Sequence, residues 1–169
     1  GIFSYESRWN NLGLGRWNPE KPQGEYYCGV GAANVKGRDI SEAHLEACLE
    51  AGIELTGTNA EVALGQWEYQ CLGKGIKAGD DLWMSRYLLH KVAEDFDVSV
   101  NIHPKPQSGD WNGSGMHTNF SNKEMRENGT EELYSTMCDK LGEVHQDAIA
   151  NYGSDNDQRL TGLHETQKI

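Results

Sequence analysis

The sequence predicts an α+β fold on three observations. Apolar residues recur at helical spacing over three separate stretches. Val98, Val100 and Ile102 alternate with Ser99, Asn101 and His103, the pattern of a half-buried strand. A bend at Leu64-Gly65, with Glu61 and Glu68 placed symmetrically about it, reads as a hairpin. Helices mixed with antiparallel hairpins define the class. A length of 169 residues suits one domain with its own core.

Residues 8–25, rich in Gly, Asn, Pro and Trp without a period, read as loop. Asp39 begins the first helix, because Asp39-Ile-Ser-Glu42 has capping-box spacing. Ile40, Ala43, Ala47, Cys48 and Ala51 then share a face, and Gly52 closes the helix. Ile53 to Thr58 reads as a strand. A second helix runs from about Asp80 to Phe96 with Leu82, Trp83, Tyr87, Leu88 and Val92 as its apolar stripe. Asp80-Asp81 at its start is explained by capping and the helix dipole. Pro104 and Pro106 end the strand at 98–102. A third helix starts near Thr130, with Leu133, Met137, Leu141, Val144 and Ala148 on its apolar side. Asp155-Asn-Asp157 reads as a turn, since the other ligands of a calcium loop are absent.

Bulk properties narrow the function. The chain is 37% hydrophobic and 24% charged, with a formal net charge of -11. That balance argues against nonspecific binding to nucleic acid or anionic lipid, both of which need a basic patch. No apolar run reaches membrane-spanning length. Gly1 to Arg8 do not read as a signal peptide. Cys28, Cys48, Cys71 and Cys138 are scattered, which points to a reducing compartment rather than a zinc or redox motif. Asn112-Gly-Ser, Asn119-Phe-Ser and Asn128-Gly-Thr match the glycosylation pattern by chance on this reading. A chain opening on Gly1 rather than Met reads as part of a longer one.

Two stretches carry chemistry. In a two-residue turn at Leu64-Gly65, Glu61 would face Glu68 across the hairpin. Like charges so placed repel, and Mg²⁺ or Mn²⁺ between them reverses the sign of that interaction. The alternative is a longer loop in a different register, with both acids merely solvated. The second stretch, Asp110-Trp-Asn-Gly-Ser-Gly115, is glycine-rich and lets backbone N–H groups approach a ligand. On a strand beyond it, His117, Asn119 and Ser121 would share a face suited to a metal and phosphate oxygens. The competing reading of His117 is a hydrogen-bonded structural residue. His44, His90 and His145 lie in helices and read as packing or surface residues, His103 faces the polar side of its strand, and His164 is ambiguous.

As a set, Pro22-Gln-Gly-Glu-Tyr-Tyr-Cys-Gly-Val-Gly31, Gly37-Arg-Asp-Ile40, Gly57-Thr-Asn-Ala-Glu-Val62, Gln66-Trp-Glu-Tyr-Gln70, His103-Pro-Lys-Pro106, Asp110-Trp-Asn-Gly-Ser-Gly115, His117-Thr-Asn119 and Arg159-Leu-Thr-Gly162 resemble glutamine synthetase of the eukaryotic (type II) class. The resemblance runs from about Pro22 to Ile169. It divides the chain into an irregular segment, 1–21, and a partial catalytic domain, 22–169, built on a curved antiparallel sheet with flanking helices. It implies ATP-dependent ligation of ammonia to L-glutamate through a γ-glutamyl phosphate. It implies Glu61, Glu68 and His117 as metal ligands for Mg²⁺ or Mn²⁺, with His117 at a different metal site from the two acids. It implies Glu68, Asn119 and Ser121 at ATP, and Asp110, Trp111, Asn112 and Gly113 at glutamate. It also implies a ring-stacked homo-oligomer, a decamer, in the cytoplasm or a plastid, acting on L-glutamate, ammonium and ATP without nucleic acid or membrane.

The chain departs from the family pattern in two places. Phe3-Ser-Tyr-Glu6 stands near the family's Glu-x-Glu-Tyr, which supplies one ligand to each metal site. Ala63-Leu-Gly65 stands where Met-Pro-Ala or Met-Pro-Ser is usual. By the resemblance, the family's later arginines, a further metal-binding Glu and the flap over glutamate fall beyond Ile169, and the small N-terminal domain falls before Gly1. The first departure keeps open a noncatalytic glutamine-synthetase-like subunit or fragment. A guanidino-kinase-like phosphotransferase shares the sheet type but not these motifs.

Overall fold

The computed structural model describes residues 23–168 in full and Ile2–Ser4 by their backbone. In chain order the elements are β1 (Ile2–Ser4), α1 (Arg38–Glu50), β2 (Leu55–Ala60), β3 (Trp67–Cys71), α2 (Lys77–Asp95), β4 (Ser99–Asn101), α3 (Lys123–Asn128), α4 (Glu131–Glu143), α5 (His145–Asn151) and α6 (Asn156–Arg159). This is the α+β class expected. Among the described residues the strands form two antiparallel ladders, β1 with β4 and β2 with β3. Ile2–Ser4, inside the segment expected to be irregular, is therefore paired strand. Residues 5–22, including Tyr5 and Glu6 near the family's Glu-x-Glu position, lie outside the described residues.

The core lies between α1, α2 and the β2–β3 hairpin. Ile40, Ala60, Trp67 and Leu89 form one buried cluster, joined by Val92, Phe96, Val98 and Val100. Cys48, Ile53 and Leu55 form a second. Tyr69 packs against both and joins them. The buried Trp67 indole N–H donates to the Lys36 carbonyl at 2.7 Å, and the Arg38 guanidinium sits 5.0 Å from its ring centre.

α1 starts one residue earlier than expected. Gly37 turns into it, and Arg38 is held by the Gly29 carbonyl (3.0 Å) and the Trp67 face. Asp39 therefore falls inside the first turn, where its carboxylate accepts from the Ile40 N–H, and the Asp39–Glu42 capping box does not form. The far end is as expected. Gly52 N–H donates to Leu49 and Ile53 N–H to Cys48, a Schellman closure that folds Ile53 back onto Cys48.

The predicted stripe on α2 is rotated. Asp81, Ser85, Leu89 and Ala93 are buried, whereas Trp83 and Tyr87 are 68% and 61% exposed. The reason is close approach to α1. His44 reaches across to the Ser85 carbonyl at 2.9 Å, and the Tyr69 and Ser85 hydroxyls bond at 3.0 Å, so small and polar residues occupy the seam. Trp83 instead lies outside under Arg86. α2 begins at Lys77, which pairs with Asp81, so Asp81 closes the edge of the core rather than capping the helix. Thr130 caps α4 as expected, accepting from the Leu133 N–H at 3.2 Å. The helix breaks at Val144 before α5, which leaves Leu141 and Val144 about half exposed.

Burial holds the His44 imidazole below its ordinary pKa, partly offset by the bond to the Ser85 carbonyl. Below the ordinary histidine value of about 6.5, the unfolded chain then binds a proton that the folded chain resists. Melting temperature is expected to fall as pH drops from 7.5 to 5.5. His44→Gln, which keeps a donor for Ser85 and cannot titrate, should flatten that slope; thermal melts across the range measure it. The neighbouring Cys48 thiol is pushed up to about 11 by burial and then by Cys71, which makes it a packing residue rather than a nucleophile. All four cysteines are free.

Candidate active site on the hairpin and glycine-rich loop

The β2–β3 ladder pairs Asn59 with Glu68 and Ala60 with Trp67. Glu61 N–H then donates to the Gln66 carbonyl at 2.8 Å, and Gln66 N–H to Ala63 at 3.0 Å. The bend is therefore Val62–Gly65, with Gly65 in the left-handed region at φ 80°, and not a two-residue turn at Leu64-Gly65. Glu61 does not face Glu68 directly; it faces Gln66. Leu64 lacks the positive-φ preference of a tight hairpin turn, so the loop takes the longer form. The slip is by two positions, and an even slip preserves the face. Ala60 and Trp67 point into the core, so Asn59, Glu61 and Glu68 share the outer face, with the two acids as diagonal neighbours.

Glu61 is held above the usual carboxylate range by burial first and then by the neighbouring Glu68 carboxyl. The Val62 N–H (3.1 Å) and the Asn59 amide (3.4 Å) oppose the shift. Two neighbouring carboxyls on one face are a donor set for a hard divalent cation. They supply two oxygen ligands. Among the described residues no group of three His, Cys, Asp or Glu side chains converges, so His117 does not join them.

The turn at residues 23–28 docks on this hairpin through Gly24 N–H to the Val62 carbonyl and Cys28 N–H to the Ala60 carbonyl, both 2.9 Å. It brings the Tyr27 phenol to the acids. Its pKa is raised by the Cys28 thiol beside it and next by Glu61, with a smaller effect of Glu68. Nothing in sequence spacing signals this neighbour, because it arrives by docking of a separate turn.

Asp110 to Gly113 lie beside the same bend. The Asn112 N–H donates to Gln23 Oε1 at 2.5 Å, and Gln66 Nε2 donates to the Gly113 carbonyl at 3.5 Å. Lys105 Nζ donates to the Trp111 carbonyl, and His164 lies 3.5 Å from the Asp110 carboxylate, which resolves the ambiguous histidine. A Cβ on Gly113 would meet the Pro104 carbonyl at 2.6 Å and Arg159 Cγ at 2.7 Å, and one on Gly115 would meet the Arg159 guanidinium. Arg159 thus lies along a strip that only glycines leave open, and it forms no ion pair with any described residue. The Gly-Ser-Gly alternation was the available signal for a close neighbour here; which residue fills the space was not readable. Gly113→Ala is expected to cost about 1–3 kcal/mol by overpacking against backbone. Gly115→Ala should cost less, because it meets the end of a flexible side chain; urea unfolding compares the two.

His117, Asn119 and Ser121 are not on a strand. Residues 111–122 form no ladder, and all three side chains are exposed. Alternation alone does not make a strand where no partner edge is present among the described residues. Ser121 accepts from Arg126 at 2.9 Å, whereas His117 and Asn119 make no hydrogen bond or ion pair with a described residue. Backbone strain gathers nearby: His164 and Glu165 are successive non-glycine residues at φ 54° and 62°.

The family model described as "Glutamine synthetase, catalytic domain" matches residues 6–150. A protein named glutamine synthetase from Fusarium solani subsp. phaseoli is 56% identical over 151 residues, covering 88% of this chain and 42% of the relative. The glutamine synthetase of Yarrowia lipolytica is 53% identical over 163 residues, covering 95% and 44%. That of Panulirus argus is 58% identical over 156 residues, covering 88% and 42%. The chain spans less than half the length of these relatives. With a family match over most of its length and relatives of one name at this identity, the chain belongs to the glutamine synthetase catalytic-domain family.

Proposed function

We propose that this chain is part of an enzyme that ligates ammonia to L-glutamate at the expense of ATP, through a γ-glutamyl phosphate. The observation that carries the reading is the Glu61–Glu68 pair on the hairpin face, whose bend is bonded to the Gly113 carbonyl through Gln66 and whose docked turn is bonded to the Asn112 N–H through Gln23. An amide cannot form directly from a carboxylate at neutral pH, so the carboxylate is first made an acyl phosphate, and ammonia then displaces phosphate. Glu61 and Glu68 would hold Mg²⁺ or Mn²⁺, which offsets negative charge during phosphoryl transfer. Asn112 and Gly113 offer backbone and amide groups to glutamate. The Arg159 guanidinium beside them offers a cation to a carboxylate. The acidic face around Glu61 favours ammonium over anions. His117 as a ligand of a separate metal, Asn119 and Ser121 at ATP, the ring-stacked oligomer and the cytoplasmic location belong to this proposal through family membership.

A second reading, a noncatalytic family member, is favoured by Phe3-Ser-Tyr-Glu6 near the position of the family's Glu-x-Glu. Incubating the intact, full-length protein with glutamate, ATP, Mg²⁺ and ammonium separates the two. Ammonia-dependent phosphate release supports the enzyme. Release that is absent, or unchanged without ammonia, favours the noncatalytic reading.

A further inference from the structure

Two glutamines join the acidic hairpin to the glycine-rich loop, and neither has a role in the reaction as described. Gln66 is 5% exposed. Its backbone carbonyl accepts from the Glu61 N–H (2.8 Å), its Oε1 from the Ala63 N–H (3.3 Å), and its Nε2 donates to the Gly113 carbonyl (3.5 Å). A buried carboxamide must find partners at both ends, and here one end bonds within the bend while the other reaches Gly113, 47 residues along the chain from Gln66. Gln23 makes the same connection from a third segment. Its Oε1 accepts from the Asn112 N–H at 2.5 Å, while the next residue, Gly24, donates its N–H to the Val62 carbonyl at 2.9 Å. Both carboxamides thus tie one bend, Glu61–Gln66, to one dipeptide, Asn112-Gly113.

The geometry points to Gln66 and Gln23 as positioning residues, whose carboxamides fix the Asn112–Gly113 backbone to the bend carrying Glu61, so that a divalent cation held by Glu61 and Glu68 also orders the glycine-rich loop. The inference rests on the cation reading of the acid pair. In physical terms, a cation ends the repulsion between the two carboxyls and fixes the Glu61 backbone. That backbone is bonded to the Gln66 carbonyl, and the Gln66 side chain carries the restraint to Gly113. The loop proposed to receive glutamate is then set in place before glutamate arrives, which reduces the ordering cost of binding.

The test uses Mn²⁺ as probe, with its binding followed by electron paramagnetic resonance and the loop by hydrogen exchange of peptides spanning 109–115. In the unaltered protein, saturating Mn²⁺ should slow exchange of the loop roughly threefold to tenfold, the range one net hydrogen bond supports. In Gln66→Met, Mn²⁺ should still bind while this slowing is lost. Gln23→Met, an independent change on another segment, should halve it or more and carries the test if Gln66→Met fails to fold. Overall destabilisation would speed exchange with and without Mn²⁺, so the ratio separates positioning from mere structure. Equal slowing in the variants, or no slowing in the unaltered protein despite bound Mn²⁺, overturns the inference and leaves the acid pair as a cation site. No Mn²⁺ binding by the unaltered protein overturns the cation reading and the inference together.

Discussion

In Glu61→Gln, the melting temperature in excess chelator is expected to rise while the stabilisation given by Mn²⁺ largely disappears. Burial and the Glu68 carboxyl hold Glu61 above its ordinary pKa of 4.5, so the folded chain keeps a proton that the unfolded chain has released. Stability without a cation therefore falls as pH rises from the ordinary value through the raised one. Glutamine removes the charge and keeps the shape. Like charges across a sheet cost roughly 0.2–1 kcal/mol, which in a domain of this size is about 0.4–4 °C of melting temperature. A cation acts in the opposite direction, since a ligand at a hundredfold excess over its Kd stabilises by about 2.7 kcal/mol. Two melts, with chelator and with Mn²⁺, give both signs. A pair of merely solvated acids would show neither.

Trp67→Ala is expected to cost about 3–5 kcal/mol and with it the site. Trp67 is 5% exposed, and its ring touches the main cluster from the strand that carries Glu68. Truncation also leaves the Lys36 carbonyl without its indole donor and Arg38 without its aromatic face. The β2–β3 register depends on Trp67 and Ala60 pointing inward together, so the face that displays Glu61 and Glu68 is set by the same burial. Trp67→Phe keeps most of the buried area but loses the donor, and should cost less than half as much. Urea unfolding of the three proteins orders them.

The parts legible in the sequence are those set by local pattern. The closure of α1 at Gly52, the Thr130 cap of α4 and the strand at Ser99–Asn101, with Val98 and Val100 packed on the core, each follow from neighbours within a few residues. The α2 stripe was misread because Trp83 and Tyr87 are the larger hydrophobes, whereas the seam with α1 is too close for them and takes Ser85 and Ala93. The capping box at Asp39 failed because Arg38 is anchored by Gly29 and Trp67, contacts made at a distance in sequence. For the site, the shared face of Glu61 and Glu68 was readable, yet their register was not. Turn length depends on whether Leu64 accepts a tight bend, while the face depends only on parity. Tyr27, Arg159 and the two bridging glutamines come from separate segments and leave no periodic trace.

The most direct measurement is Mn²⁺ binding to the protein at pH 7.5, followed by electron paramagnetic resonance, beside Glu61→Gln and Glu68→Gln. The account predicts saturable binding that weakens at least about tenfold in each variant, a loss of about 1.4 kcal/mol. Binding unaffected by both substitutions would contradict it.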